Sequence, residues 1–407
     1  MHVVFVEPCF PAHQREFVRG LSLTGATVSA VGEHPVEALD DELRRWLIHY
    51  EQVPSVVDPN ALERVVRWIH YRLPVDRLEA TVEAHVLPVA EARERLGIPG
   101  TPPRTAFLCR DKPAMKEALR AGGVPCATFL GSGDREAIFS FAREAGYPLV
   151  VKPRAGSAAR GVERVDSGEA LGAALDRAGV GEGPEVAVEA WNDGHEAFYD
   201  TITIGGRVAH EFIAHCYPNV LEAMRTRWIS PQVVVTNRVK SAPGYQEVLE
   251  MGRNAIRILG IDTSATHMEW FVGPEGLRFS DMGCRPPGEQ GWTLCSVAND
   301  IDVHHEWATA VVFGRTVRKA SRRFATGLIG LRPDQDGVIR GYSGADEIWR
   351  RWGEWIIDSH FPPPGTPTRP IDAGYMANAW LRMKHPDYDE LRGMLDTVGE
   401  TVHVSAT

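Results

Sequence analysis

The segment THMEWFVGPEGLRFSDMGCRPPGEQ, residues 266 to 290, restricts the fold more than any other stretch of the chain. Polar and apolar residues alternate from His267 to Val272 and again from Leu277 to Met282, the period of two that belongs to β-strands. Between them, Pro274 suits the first corner of a type I turn and Gly276 the left-handed residue closing a three-residue loop with a G1 bulge. Such a loop pairs Gly273 with Leu277 and, counting outward, Glu269 with Asp281. Opposed residues share one face of a sheet, and His267 and Arg285 have the same parity. Two carboxylates at that distance repel each other unless a cation lies between them, and an oxygen-only pair suits Mg²⁺. On an arbitrary hairpin the same pair is more often a solvated face with Arg285 as a surface partner, so the neighbouring motifs decide.

The run YPLVVKPRAGSAARGVERV, residues 147 to 165, sets Lys152 at the end of an apolar strand before a loop holding Gly156, Ser157 and Gly161. A loop of this kind can aim backbone N–H groups at phosphate oxygens while the lysine neutralises charge; taken alone, it is more often an ordinary strand end and turn. Further on, EAWNDGHE, residues 189 to 196, lies between two strands. A segment of this kind can present backbone groups to an adenine edge, and a carboxylate such as Glu196 can accept hydrogen bonds from both ribose hydroxyls. Lys112 stands at or just before a helix N-terminus, where its ammonium adds to the dipole's attraction for phosphate.

Around these motifs the pattern is α/β at the start and α+β beyond. An apolar strand at Val3 to Val6, a helix from Gln14 to Leu23 and a strand at Thr27 to Val31 open the chain in the parallel-sheet manner. The helix-breaking run from Gly97 to Pro103 marks a boundary. Three regions are expected: an N-terminal parallel α/β domain over 1–97, a core over 98–320 with a lid at about 124–190, and a C-terminal lobe over 321–407 that completes the second domain. A helix over Tyr245 to Leu259 and a Gly205-Gly206 hairpin turn lie inside the core.

Composition excludes several classes. With 407 residues, 43% of them hydrophobic and 24% charged, the chain reads as globular and multidomain. A net charge of −10 disfavours a nucleic-acid partner. The six cysteines show no C-x-x-C spacing and read as reduced thiols. The short apolar start lacks a basic leader and no later run approaches a membrane span, so a cytoplasmic location with no membrane contact is expected. No G-x-G-x-x-G follows the first strand, which argues against a dinucleotide site in residues 1–95.

Read in order, Arg110-Asp111-Lys112, the Lys152 strand with its glycine loop, the 189–196 segment and the Glu269/Asp281/Arg285 hairpin resemble the ATP-grasp superfamily. His267-Met268-Glu269 and the Asp281 to Gly288 stretch resemble the L-amino-acid ligase and carnosine-synthase branch. The resemblance implies a nucleotide held between two α+β lobes. Lys112, Lys152 and the 155–161 loop would meet ATP phosphates, Glu189 to Trp191 adenine, Glu196 ribose, and Glu269 and Asp281 Mg²⁺, with Mn²⁺ able to substitute. Arg285 would stabilise an acyl phosphate and the oxyanion formed from it, with Lys152 serving phosphoryl transfer.

His267 would orient a substrate carboxylate, accept the amine's proton, or serve structurally beside the metal. Arg225, Arg227 and Trp228 would grip a substrate carboxylate or lie in solvent. The implied partners are a small carboxylic acid and a small amine, joined with release of ADP and phosphate, and a homodimer is common in the family. A carboxylase, a purine-pathway type of ligase and a nucleotide-binding protein with a degenerate metal site are the alternatives. The sequence departs from the family pattern at Asp281, where Glu is usual, at Gly283, where Asn often aids metal binding, and at Ala158 and Ala159 in the loop.

Overall fold

The computed structural model describes residues 1–156, 160–181, 183–288 and 291–407. Four strands, β1 (His2–Val6), β2 (Thr27–Gly32), β3 (His49–Gln52) and β4 (Arg77–Glu79), form a parallel sheet in the order β3-β2-β1-β4. β1 is apolar and buried throughout, apart from the polar His2, because helices cover both faces. The chain steps outward from β1 to β3 and then returns to β4 on the other side of β1, so a crevice opens where the carboxyl ends of β1 and β4 diverge.

A second, antiparallel sheet is built from β5 (Phe129–Ser132), β6 (Leu149–Pro153), β7 (Glu163–Val165) and β8 (Val186–Ala190), in the order β5-β8-β6-β7. The helices Arg135–Ala145 and Gly168–Arg177 bury Ile138, Ala142, Leu171 and Leu175 against it.

The largest sheet begins with β9 (His195–Ile204), β10 (Arg207–Tyr217), β11 (Gln232–Val235), β12 (Ser264–Gly273), β13 (Gly276–Gly283) and β14 (Ala325–Leu331). After β15 (Ile339–Ser343), β16 (Ile356–His360) and β17 (Ala379–His385) extend it, giving the order β13-β12-β9-β10-β11-β14-β17-β16. β18 (His403–Ala406) pairs with β15 in a separate two-stranded sheet. Gly205 and Gly206, both at positive φ, join β9 to β10 as the sequence suggests. The helix Tyr245–Leu259 covers one face of this sheet with Val248, Ala255, Ile256 and Leu259, and the helix Gly291–Asn299 lies against the other.

The β12–β13 register corrects the expected turn. Gly273 pairs with Gly276, not Leu277, across a turn of Pro274 and Glu275. A bulge between Glu269 and Trp270 leaves Ser280 unpaired, so Glu269 still faces Asp281. The one-residue difference at the turn is cancelled by the one-residue bulge.

Candidate active site

Alternation places Glu196, Phe198 and Asp200 of β9 on the same face as His267, Glu269 and Phe271 of β12, and Asp281 joins them from β13. The helix Lys112–Ala121 brings its first turn over this face. Its cap is Asp111, whose carboxylate accepts from the Ala114 N–H at 3.0 Å and holds Arg154 at 2.8 Å. That clamp ties the helix to the end of β6 beside Lys152.

Lys112 reaches Asp281 at 2.7 Å and donates to the Gly156 carbonyl at 2.9 Å. Burial alone would lower its pKa, but Asp281 and Glu269 raise it above the ordinary lysine value. Asp281 mirrors this: burial pushes its carboxyl up, yet Lys112 and Lys152 hold it below the usual range. The Glu269 carboxylate has no hydrogen bond or ion pair among the described residues. Glu196 is buried and accepts from the Val220 N–H at 2.7 Å; burial and the charge of Glu269 push its pKa up to about 8. A free carboxylate facing Asp281, with a second acid strained by its charge, is a donor set that fits a divalent cation.

Lys152 is buried and lies 2.8 Å from Glu189, whose other oxygen pairs with Lys116. The Glu189 side chain therefore points between two lysines, while its backbone continues β8. Lys116, fully buried, was not singled out from the sequence; its signal was its position one helical turn from Lys112. Ala190 and Trp191 follow at the end of β8, and the Trp191 N–H donates to the Pro148 carbonyl at 3.1 Å. Gly161 has φ of 69° in the turn after the glycine loop, and Ser157, Ala158 and Ala159 lie outside the described residues.

Arg285 is held at 2.7 Å by Glu83, which enters from the segment after β4 of the first sheet. Arg110 lies 3.7 Å from the other oxygen of Glu83. Glu83 is 202 positions from Arg285, so no local pattern could reveal it. Gly283 lies beneath this contact: a Cβ there would stand 3.0 Å from the Glu83 carboxylate and 3.3 Å from Arg285, which gives its lack of a side chain a physical reason. His267 contacts Asp200 at 2.6 Å through Nδ1 and lies against the Phe198 ring. Asp200, too, was missed; it shares the parity of Glu196.

The structure does not bring the 225–228 cluster into this group. Arg225 binds the Val162 carbonyl near the glycine loop, Arg227 pairs with Asp336 at 2.7 Å, and Trp228 is 88% exposed.

The fold matches that of known proteins. A family model described as the ATP-grasp N-terminal domain matches residues 31–100. The solved L-amino acid ligase from Bacillus licheniformis superposes with a TM-score of 0.79 at 18% identity, covering 100% of this chain and 98% of that one. The chain therefore carries a segment that matches the ATP-grasp N-terminal domain and has the fold of that ligase.

Among curated relatives it is similar to an L-arginine-specific L-amino acid ligase of Bacillus subtilis, 26% identical over 231 residues, which are 55% of this chain and 54% of the relative. It is also 22% identical over 279 residues to an alanine–anticapsin ligase of the same organism, covering 62% of this chain and 58% of the relative. The chain thus spans little more than half the length of the curated relatives it matches. Among the described residues no helix is long and apolar enough to cross a membrane.

Proposed function

We propose that the chain is an ATP-dependent carboxylate–amine ligase that joins a small amino-acid-like acid to an amine through an acyl phosphate, releasing ADP and phosphate. The observation that carries this reading is Glu269 facing Asp281 on one sheet face, with Lys112, Lys152 and Arg285 converging on that face from three separate elements. Its ATP-grasp fold and its similarity to relatives named as amino acid ligases support it.

Phosphoryl transfer asks a protein mainly for positioning and charge neutralisation. Glu269 and Asp281 would hold Mg²⁺, which when bound neutralises charge on the nucleotide's terminal phosphates. Lys112 would turn from Asp281 to phosphate, and Lys152, already balanced by Glu189, would stay fixed. A substrate carboxylate attacks the γ-phosphorus, the bond to ADP breaks, and the amine then attacks the acyl carbon and expels phosphate. In that second step charge grows on the carbonyl oxygen, where the Arg285 guanidinium, oriented by Glu83, can donate. His267, held by Asp200, would take the amine's proton or bind a carboxylate.

The test is ADP and phosphate release across a panel of amino acids and dipeptides, with products identified by mass. Release that requires both an acid and an amine, with an amide as product, is the expected result. Hydrolysis of ATP indifferent to either, or activity on bicarbonate alone, would overturn the proposal.

A further inference from the structure

A second group of ligating side chains lies at the carboxyl end of the parallel sheet, apart from the carboxylates of the large sheet. Glu7 and Cys9 follow β1 and His34 follows β2, and one ligand atom from each lies within 4.8 Å of the other two. The Cys9 Sγ is 3.5 Å and the His34 Nδ1 3.3 Å from the same oxygen, Oε1 of Glu7. Zinc bonds of about 2.3 Å to thiolate and about 2.1 Å to imidazole and carboxylate give tetrahedral edges of about 3.6 Å for S–O and about 3.4 Å for N–O. The two distances fit those edges.

The surroundings are built to hold the trio. Glu7 is 3% exposed and adopts φ of 60°, a left-handed conformation unusual for a non-glycine residue and one that gathers at functional sites. Its second oxygen accepts from the Glu33 N–H at 2.9 Å, which fixes the carboxylate and leaves Oε1 to the cluster. The Tyr50 hydroxyl donates to the His34 carbonyl at 2.5 Å and so anchors the third donor's backbone. A Cβ at Gly32 would stand 2.6 Å from that hydroxyl and 3.4 Å from both Glu7 oxygens, so only glycine lets the two strand ends close up. Outer partners that orient ligating groups are a general property of metal centres. The His34 side chain is 45% exposed, which gives an ion a way in and leaves a coordination position facing solvent.

We infer that Glu7, Cys9 and His34 form a binding site for a zinc-type divalent metal, with three protein ligands and an open fourth position. Binding releases the Cys9 thiol proton to solvent, and His34 coordinates as the neutral imidazole through Nδ1. A magnesium site of oxygen donors would not use a thiol, so this centre is separate in chemistry from the Glu269–Asp281 pair.

The test uses the full chain, stripped with a chelator and titrated with Co²⁺ without nucleotide or Mg²⁺. Thiolate-to-cobalt charge-transfer absorption reports the Cys9 bond, and elemental analysis after zinc loading gives the stoichiometry. One metal per chain with that absorption is expected. Cys9→Ser should abolish the band, and His34→Ala, at an exposed position that leaves the core untouched, should weaken binding at least tenfold. Cys126→Ser, in a different region, should change nothing. Absence of the band in the parent chain, or its survival in Cys9→Ser, would overturn the inference and leave the trio as a hydrogen-bonded cluster; neither result bears on ligase activity.

Discussion

Glu189 carries one negative charge between two buried lysines, and the balance is asymmetric. Burial would raise its pKa, but Lys116 and Lys152 hold it below the ordinary glutamate value, whereas burial pulls Lys116 below the lysine range. Removing the acid leaves two buried ammonium groups without a counter-charge; removing Lys116 leaves a matched pair. Breaking a buried pair costs about 3–5 kcal/mol. Glu189→Gln should therefore lose about that much stability, and Lys116→Met clearly less, when both are unfolded by denaturant. Equal losses would contradict the arrangement.

Glu196 gives the pH behaviour. Its folded pKa of about 8 lies above the ordinary 4.5, so between those values the folded chain holds a proton that the unfolded chain has released. Its contribution to stability is thus full below about 4.5 and declines as pH rises toward 8. In magnesium-free buffer the parent chain should lose stability over that window, and Glu196→Gln should flatten the decline. An unchanged slope in the variant would show that Glu196 is already ionised. At this scale Glu269, Asp281, Lys112 and Lys152 were legible because strand parity and a helix start fix where such side chains point. Lys116 and Asp200 repeat the same periodicities one step further and were overlooked.

Among the elements, the β12–β13 hairpin depends on close backbone contact. A Cβ on Gly273 would fall 1.9 Å from the Asp193 carbonyl oxygen, and one on Gly194 would fall 2.5 Å from the Val272 carbonyl oxygen. The turn thus rests on the segment joining β8 to β9, which ties the carboxylate hairpin to the region leading from Glu189 to Glu196. Gly273→Ala should cost about 1–3 kcal/mol, the usual scale of overpacking, seen as a lower Tm; a neutral effect would show that the contact is loose.

Periodicity located the helix Tyr245–Leu259 to the residue, since its amphipathic face and flanking glycines leave little freedom. The β13 bulge was not legible. Nothing in Phe279-Ser280-Asp281 distinguishes a bulged strand from a regular one, and the bulge answers to the neighbouring Pro125 carbonyl, which accepts from the Phe279 N–H at 2.8 Å. The helix Gly291–Asn299 was not identified either. Its residues are apolar nearly all round because it is buried against the large sheet, so it lacks the one-sided pattern that marks a surface helix.

Over the whole molecule, the site is assembled from all three of the larger sheets. Glu83 comes from the parallel domain, Lys152 and Glu189 from the four-stranded sheet, and Glu196, Glu269 and Asp281 from the eight-stranded one. The sequence could order these motifs along the chain but could not join Glu83 to Arg285, since only the folded topology brings their segments together. The same limit applies to Arg227 and Trp228, for which the sequence left substrate contact and solvent both open, and which lie toward Asp336 and solvent.

The central claim is that Glu269 and Asp281 grip a divalent ion together with the nucleotide, and calorimetric titration of ADP with and without Mg²⁺ tests it most directly. In the parent chain Mg²⁺ should tighten ADP binding by roughly tenfold or more, a difference of about 1.4 kcal/mol, and in Glu269→Gln that gain should vanish while the fold is kept. The same magnesium dependence in parent and variant would contradict the claim.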